Sequence, residues 1–254
     1  MNLLIDAGNT RIKWALVRGD DWLYSDVLPT GQAGELSRHI NAHLDKLRTG
    51  LHDIQQIWVS NVAGEEIAQH IRMLDSSQSR QLHFVVARDT QCGVRNGYSN
   101  SSQLGSDRWA AMIAAWHLVK KACLIVNCGT ATTIDTLSGQ GEFLGGLILP
   151  GVELMQHSLV TATAGLKSAQ GMYTTHPLNT ADALYSGAIQ ASCGAIERQY
   201  ASLNDNNAPV VLSGGAAKLL QPYLNKKLFS IPPRIEDNLV LQGLLLIAQE
   251  SNAR

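Results

Sequence analysis

Leu3-Leu4-Ile5-Asp6-Ala7-Gly8-Asn9-Thr10 and Leu124-Ile125-Val126-Asn127-Cys128-Gly129-Thr130 are the same pattern written twice. Each is a short apolar run that stops at Asp or Asn, a small residue, a glycine and a polar residue. Strand-like residues resume after each copy, at 12–17 and at 132–137. A run, a polar tip with glycine and a second run spell a β-hairpin. Two such hairpins in one chain point to an internal duplication.

Residues 22–28 and 143–149 supply a third strand to each set. Leu36, Ile40, His43, Leu44 and Leu47 recur at helical spacing. Ile57-Trp58-Val59 and Phe84-Val85-Val86 read as further buried strands around a helix at 65–74. The polar stretch 89–106 reads as a long loop, a length at which loops are often functional. A helix is expected at 107–120, with Trp109, Met112, Ile113 and Trp116 inward. The second half continues with helices at 152–163 and 180–203. A late strand, Val210-Val211-Leu212, ends in Ser213-Gly214-Gly215-Ala216, and an apolar helix at 239–249 closes the chain. The expected fold is α/β, with two similar subdomains, 1–118 and 119–254, whose hairpin tips face a shared cleft.

The 254 residues are 45% hydrophobic and 16% charged with a net charge of -1, which suits a chain with a sizeable core. No basic block stands out, which argues against nucleic acid or a membrane surface as partner. Apolar runs such as 124–126 and 244–248 are far too short to cross a bilayer. The first residues lack the basic and apolar regions of a secretory signal, so a soluble cytoplasmic protein is expected. Cys92, Cys123, Cys128 and Cys193 form neither a Cys-x-x-Cys pair nor a zinc-like cluster, as for incidental thiols in a reducing compartment. His39 and His43 are four apart but lack the glutamate of His-Glu-x-x-His, so they read as a polar helix face.

Glycine in a hairpin tip lets a phosphate approach the backbone N–H groups. Asp6 repels a phosphate unless a hard divalent cation such as Mg²⁺ lies between them. Lys13 adds a point charge on the following strand. Alone, this tip reads equally as an ordinary turn beside a surface lysine. Gly129-Thr130-Ala131-Thr132-Thr133 repeats it with hydroxyls. Gly214-Gly215 suits a base or ribose lying on the backbone, or a tight strand-to-helix turn. No Gly-x-x-x-x-Gly-Lys-[Ser/Thr] and no Gly-x-Gly-x-x-Gly is present, so the P-loop and Rossmann readings lack their central motif. In Gly105-Ser106-Asp107-Arg108, Asp107 reads as a helix cap. Its other reading is a proton acceptor, with Arg108 gripping a carboxylate by a two-pronged hydrogen bond. Asn96-Gly97-Tyr98 is a turn with a surface aromatic, or the wall of a small-molecule pocket.

Asp6-Ala7-Gly8-Asn9-Thr10-Arg11-Ile12-Lys13, Gly105-Ser106-Asp107-Arg108-Trp109, Gly129-Thr130-Ala131-Thr132-Thr133-Ile134-Asp135 and Gly145-Gly146-Leu147-Ile148-Leu149-Pro150-Gly151 occur in order over nearly the whole chain. Together they resemble the type III pantothenate kinases, a family that includes the Bvg accessory factors. The resemblance implies a duplicated ribonuclease-H-like fold of the acetate and sugar kinase, Hsp70 and actin superfamily, with an interdomain nucleotide cleft. It implies that ATP and pantothenate give ADP and 4′-phosphopantothenate, the first step of coenzyme A biosynthesis. By the same resemblance, Asp6, Ala7, Gly8, Asn9, Thr10, Arg11, Ile12 and Lys13 form the first phosphate loop, with Asp6 serving Mg²⁺. Thr130 contacts ATP and Gly214-Gly215 lie near the adenosine. Asp107 is the general base, and Tyr98, Gly105, Ser106, Asp107 and Arg108 line the pantothenate pocket. Thr180 matches a substrate contact made across a dimer interface, which implies a homodimer. Many members have an aspartate at Asn127 that binds K⁺ or NH₄⁺; asparagine keeps a carbonyl ligand without the charge, which weakens, moves or removes that site. Two other readings share the fold, a non-catalytic ATP-binding regulator and a related phosphotransferase or phosphate-ester hydrolase. The intact Asp6, Lys13 and Asp107 weigh against the regulator.

Overall fold

The computed structural model describes residues 1–75, 81–163, 166 and 170–253. Its first sheet is built around β1 (Asn2–Ala7), whose Leu3, Leu4 and Ile5 are fully buried. A strand buried on both faces reads as a continuous apolar run rather than an alternation. β2 (Arg11–Arg18) pairs with it antiparallel, and β3 (Asp21–Pro29) with β2. After α1 (Leu36–Lys46), β4 (Gln56–Asn61) runs parallel to β1 on its other side. α2 (Glu65–Arg72) leads to β5 (Gln81–Phe84), giving the order β3-β2-β1-β4-β5. Leu36, Ile40 and Leu44 of α1 and Ile67 and Ile71 of α2 pack with Ile5, Ile12, Trp14 and Val59 on one sheet face. The strand expected at Phe84-Val85-Val86 lies earlier. The ladder on β4 takes Gln81 to Phe84, and Val86 is already exposed. Within the polar loop, β6 (Thr90–Gln91) and β7 (Val94–Arg95) make a small ribbon before α3 (Ser106–Val119). α3 is buried nearly all round. Ala110, Ala111 and Ala114 are as hidden as the four residues expected to face inward.

The second sheet repeats the plan with β8 (Cys123–Cys128), β9 (Ala131–Leu137) and β10 (Phe143–Pro150). α4 (Val152–Ala162) and α5 (Thr180–Ala201) follow, then β11 (Val210–Ser213), the short α6 (Ala217–Leu220) and β12 (Arg234–Ile235). Its order, β10-β9-β8-β11-β12, is that of the first sheet, with the same antiparallel and parallel neighbours. The duplication read from the two hairpins is thus present in the topology.

The last helix, α7 (Leu239–Asn252), does not stay with the second set. Contacts divide the chain into residues 1–114 with 238–254, and residues 115–237, where the sequence suggests one cut near 118. α7 packs against β1, β2 and β4. β1 has two faces to cover and α1 and α2 cover one. At its crossing with α3 the backbones meet, because a Cβ on Gly243 would fall 1.9 Å from the Ala110 carbonyl oxygen. Among the described residues, no helix is long and apolar enough to cross a membrane.

Candidate active site

In the first unit, Asp6 stands near the end of β1 with Lys13 of β2 and Ser60 of β4 as its register partners. The tip between β1 and β2 is closed by the Gly8 N–H donating to the Arg11 carbonyl at 3.0 Å. A Cβ on Gly8 would press on that carbonyl oxygen at 3.3 Å. Close approach, rather than a left-handed backbone, is what glycine supplies there. Thr30, just past the end of β3, grips the tip twice. Its N–H donates to the Thr10 carbonyl at 3.0 Å and its hydroxyl to the Gly8 carbonyl at 2.6 Å. Asn9, Thr10 and Arg11 are exposed, and Ala7 and Ile12 are buried in the sheet.

Asp107 is the second residue of α3 and is half-buried. Its Oδ1 accepts the Arg108 N–H at 2.8 Å and lies over Gly105, where a Cβ would fall 2.6 Å from that oxygen. The helix-cap reading and the site reading therefore describe one carboxylate, with Oδ1 committed to the backbone. Ser106 places its hydroxyl 2.9 Å from that of Ser60, both buried, and so ties the start of α3 to the strand beside Asp6. The carboxyl of Asp6 is pushed up to about 7, first by burial and second by the charge of Asp107, against the pull of Lys13. Burial also raises Asp107, while the Arg108 N–H and guanidinium draw it down. Two crowded carboxylates with raised proton affinity are an arrangement suited to holding a cation and accepting a proton. Arg108 is only 5% exposed and donates from Nη1 to the Tyr98 hydroxyl at 3.1 Å. The backbone N–H of Tyr98 donates to the Asn96 side chain at 3.0 Å, and Trp109 donates its indole N–H to Gln91 at 2.9 Å. The structure thus brings Asp6, Lys13, Tyr98 and Gly105 to Arg108 into one unit.

Thr130 is exposed on the tip between β8 and β9. The Gly129 N–H donates to the Ala131 carbonyl at 3.0 Å, and the Gly151 N–H to the Thr130 carbonyl at 2.8 Å. A Cβ on Gly151 would fall 2.2 Å from the Gly129 carbonyl oxygen, so that contact tolerates only glycine. Asn127 is half-buried between Thr133 and Ser213 in register. Gly214, at φ 91, is the turn the sequence suggests. Its absent side chain leaves room for the Cys128 carbonyl at 2.5 Å and the Asn127 Oδ1 at 2.8 Å from where a Cβ would stand. Thr180 is exposed at the first turn of α5 and lines a groove of about 500 Å³ with Met155, Leu159 and Leu184.

No group of three or more His, Cys, Asp or Glu side chains able to hold a metal occurs among the described residues. Mg²⁺ needs no such cage, since it takes one or two carboxylates together with substrate phosphate oxygens. Asp6, whose proton affinity is raised by burial and by the charge of Asp107 despite Lys13, fits that role. Thr30, Ser60 and Gln91, which hydrogen-bond to residues of the candidate site, escape sequence reasoning. For Thr30 a signal existed, because Pro29-Thr30 and Pro150-Gly151 occupy the same place after the third strand of each repeat.

The type III pantothenate kinase family model matches residues 2–202. A type III pantothenate kinase of Nitrosospira multiformis is 45% identical over 253 residues, covering 98% of this chain and 92% of that protein. Among solved structures, a Baf family protein of Campylobacter jejuni superposes with a TM-score of 0.61 at 22% identity, over 99% of this chain and 100% of that one. A 2-dehydro-3-deoxygalactonokinase-like protein of Sinorhizobium meliloti does so with a TM-score of 0.59 at 14% identity, over 99% and 96%. At these identities the solved structures speak for the fold alone, and that fold is the one of the actin-like ATPases and sugar kinases.

Proposed function

The chain belongs to the type III pantothenate kinase family, and from that membership we infer that it transfers the γ-phosphoryl group of ATP to the primary hydroxyl of pantothenate. The products are ADP and 4′-phosphopantothenate, and the reaction opens coenzyme A biosynthesis. The observation that carries the reading at the level of residues is the Asp6 and Asp107 pair, with Asp107 close enough for its charge to raise the proton affinity of Asp6 beside a glycine tip.

Phosphoryl transfer asks for positioning and charge stabilisation more than for covalent help. The backbone of residues 6–13 and Thr130 of the second tip hold the ATP phosphates, and Lys13 supplies a positive charge to them. Asp6 holds Mg²⁺, which when bound neutralises phosphate charge. Tyr98, Gly105, Ser106 and Arg108 receive pantothenate, with the guanidinium of Arg108 directed at its carboxylate and held in place by the Tyr98 hydroxyl. The hydroxyl oxygen forms a bond to the γ-phosphorus while the bond from that phosphorus to the leaving ADP oxygen breaks. The hydroxyl proton passes to Asp107, whose Oδ1 is held by the Arg108 N–H and whose Oδ2 is the accepting atom. A purely regulatory ATP-binding role has no need of this half-buried base.

Asn127, without the charge of an aspartate, gives a weak site for K⁺ or NH₄⁺, so monovalent-cation dependence is small. The working form is a homodimer in the cytoplasm. Leu144 and Ile148 of β10 and Leu154 and Leu159 of α4 are exposed apolar side chains of the second unit, and Leu159 lines the groove that holds Thr180. An ADP-release assay with and without pantothenate, in K⁺, in Na⁺ and without either, tests the reading. The expected result is ADP formed only with pantothenate and little changed by the salt. Phosphate released without acceptor would point to a hydrolase, and no ADP under any condition to a regulator.

A further inference from the structure

We propose that Thr30 is a positioning residue for ATP, setting the direction in which the first tip presents its backbone N–H groups. The inference rests on residues 6–13 being the phosphate loop. The peptide bond is planar and trans, so its C=O and N–H point to opposite sides. The Thr30 hydroxyl holds the Gly8 carbonyl at 2.6 Å, which sends the Asn9 N–H of that same peptide away from Thr30. The Thr30 N–H holds the Thr10 carbonyl at 3.0 Å, which does the same for the Arg11 N–H. On the Thr30 side lies a pocket of about 290 Å³ lined by Asn9, Thr30, Glu66 and His70. Its carboxylate and the two gripped carbonyl oxygens repel phosphate, so the N–H groups are gathered on the opposite side.

The internal repeat supplies an independent control. At the second tip, Gly151 stands where Thr30 stands, each directly after the proline that ends the third strand. Each donates its N–H to the carbonyl of the tip threonine, Thr10 or Thr130. Only the first has a side chain to take a second carbonyl. The first tip is also the longer, with register partners Ala7 and Ile12 against Cys128 and Thr132. The added residue gives the first tip a peptide that the sheet ladder does not orient, and the Thr30 hydroxyl orients it.

Thr30→Val keeps the shape and the N–H and removes only the hydroxyl; Thr30→Ser keeps the hydroxyl. Equilibrium titration with Mg·ATP and steady-state kinetics with each substrate varied separate the possibilities, because misaimed donors weaken binding of the group they serve. Thr30→Val is expected to lose roughly tenfold in ATP affinity and in kcat/KM for ATP, with the KM for pantothenate nearly unchanged. Thr30→Ser should restore the ATP terms. Unchanged ATP binding in Thr30→Val overturns the inference, as does an equal loss for both substrates or failure of the serine to rescue. If the wild type binds ATP yet phosphorylates no pantothenate, the kinase reading fails while the titration still decides the role of Thr30.

Discussion

Replacing Asp6 with asparagine should abolish activity and at the same time make the metal-free protein more stable above pH 7. The carboxyl of Asp6 is lifted from an ordinary 3.8 to about 7, chiefly by burial and next by Asp107. A carboxyl that holds its proton more tightly folded than unfolded makes stability fall as pH rises between those two values. Below about pH 4 the penalty is absent; it grows through the window and is complete above pH 7. At about 1.4 kcal/mol per pH unit, the displacement is a ceiling of about 4 kcal/mol. Asp6 keeps part of its surface in water, and screening there brings the expected gain for Asp6→Asn to about 1–3 kcal/mol. Urea unfolding at pH 5, 6, 7 and 8, with metal chelated, reads this directly. The gap between the curves should widen toward pH 8 and then stay constant. Adding Mg·ATP should raise the wild-type midpoint and leave the variant's nearly still. An Asp6→Asn protein no more stable than wild type at pH 8, or a gap that ignores pH, would refute the reasoning.

Asp107→Asn keeps the bond from the Arg108 N–H while removing the proton acceptor; kcat should fall about a hundredfold to ten-thousandfold with the KM for both substrates within a few-fold, measured by ADP release. Gly243→Ala drives a methyl into the Ala110 carbonyl and should cost more than about 3 kcal/mol by urea unfolding. Gly194→Ala, on an exposed turn of α5 with nothing within 4 Å, should instead stabilise by about 0.4–1 kcal/mol. Ser60→Ala strands the buried Ser106 hydroxyl and should cost about 1–3 kcal/mol; the double variant with Ser106→Ala should recover part of that loss in the same measurement.

The strands of the two hairpins, with β4 and β11, were legible because each holds a local apolar run bounded by turn formers, whereas β6, β7 and β12, two residues each, carry no such run; the two hairpins announced the duplication by repeating one local phrase. The candidate site motifs stand out for the same reason: Asp6 to Lys13, Gly105 to Arg108 and Thr130 are short, contiguous and chemically distinctive. Phe84-Val85-Val86 misled because hydrophobicity alone does not say which residues a neighbouring strand pairs, and β4 takes Gln81 to Phe84. What tertiary structure alone decided is long-range. The sheet lays Ser60 beside Asp6, packing brings Asp107 near enough to raise that carboxyl, and Thr30 reaches back to Gly8. Likewise α7, an apolar helix that periodicity leaves free to cover either sheet, returns to the first because β1 has a second face to bury. Local pattern fixes which groups a segment offers. Only the closing of the chain on itself sets their mutual distances, and proton affinity and the aim of an N–H depend on those distances.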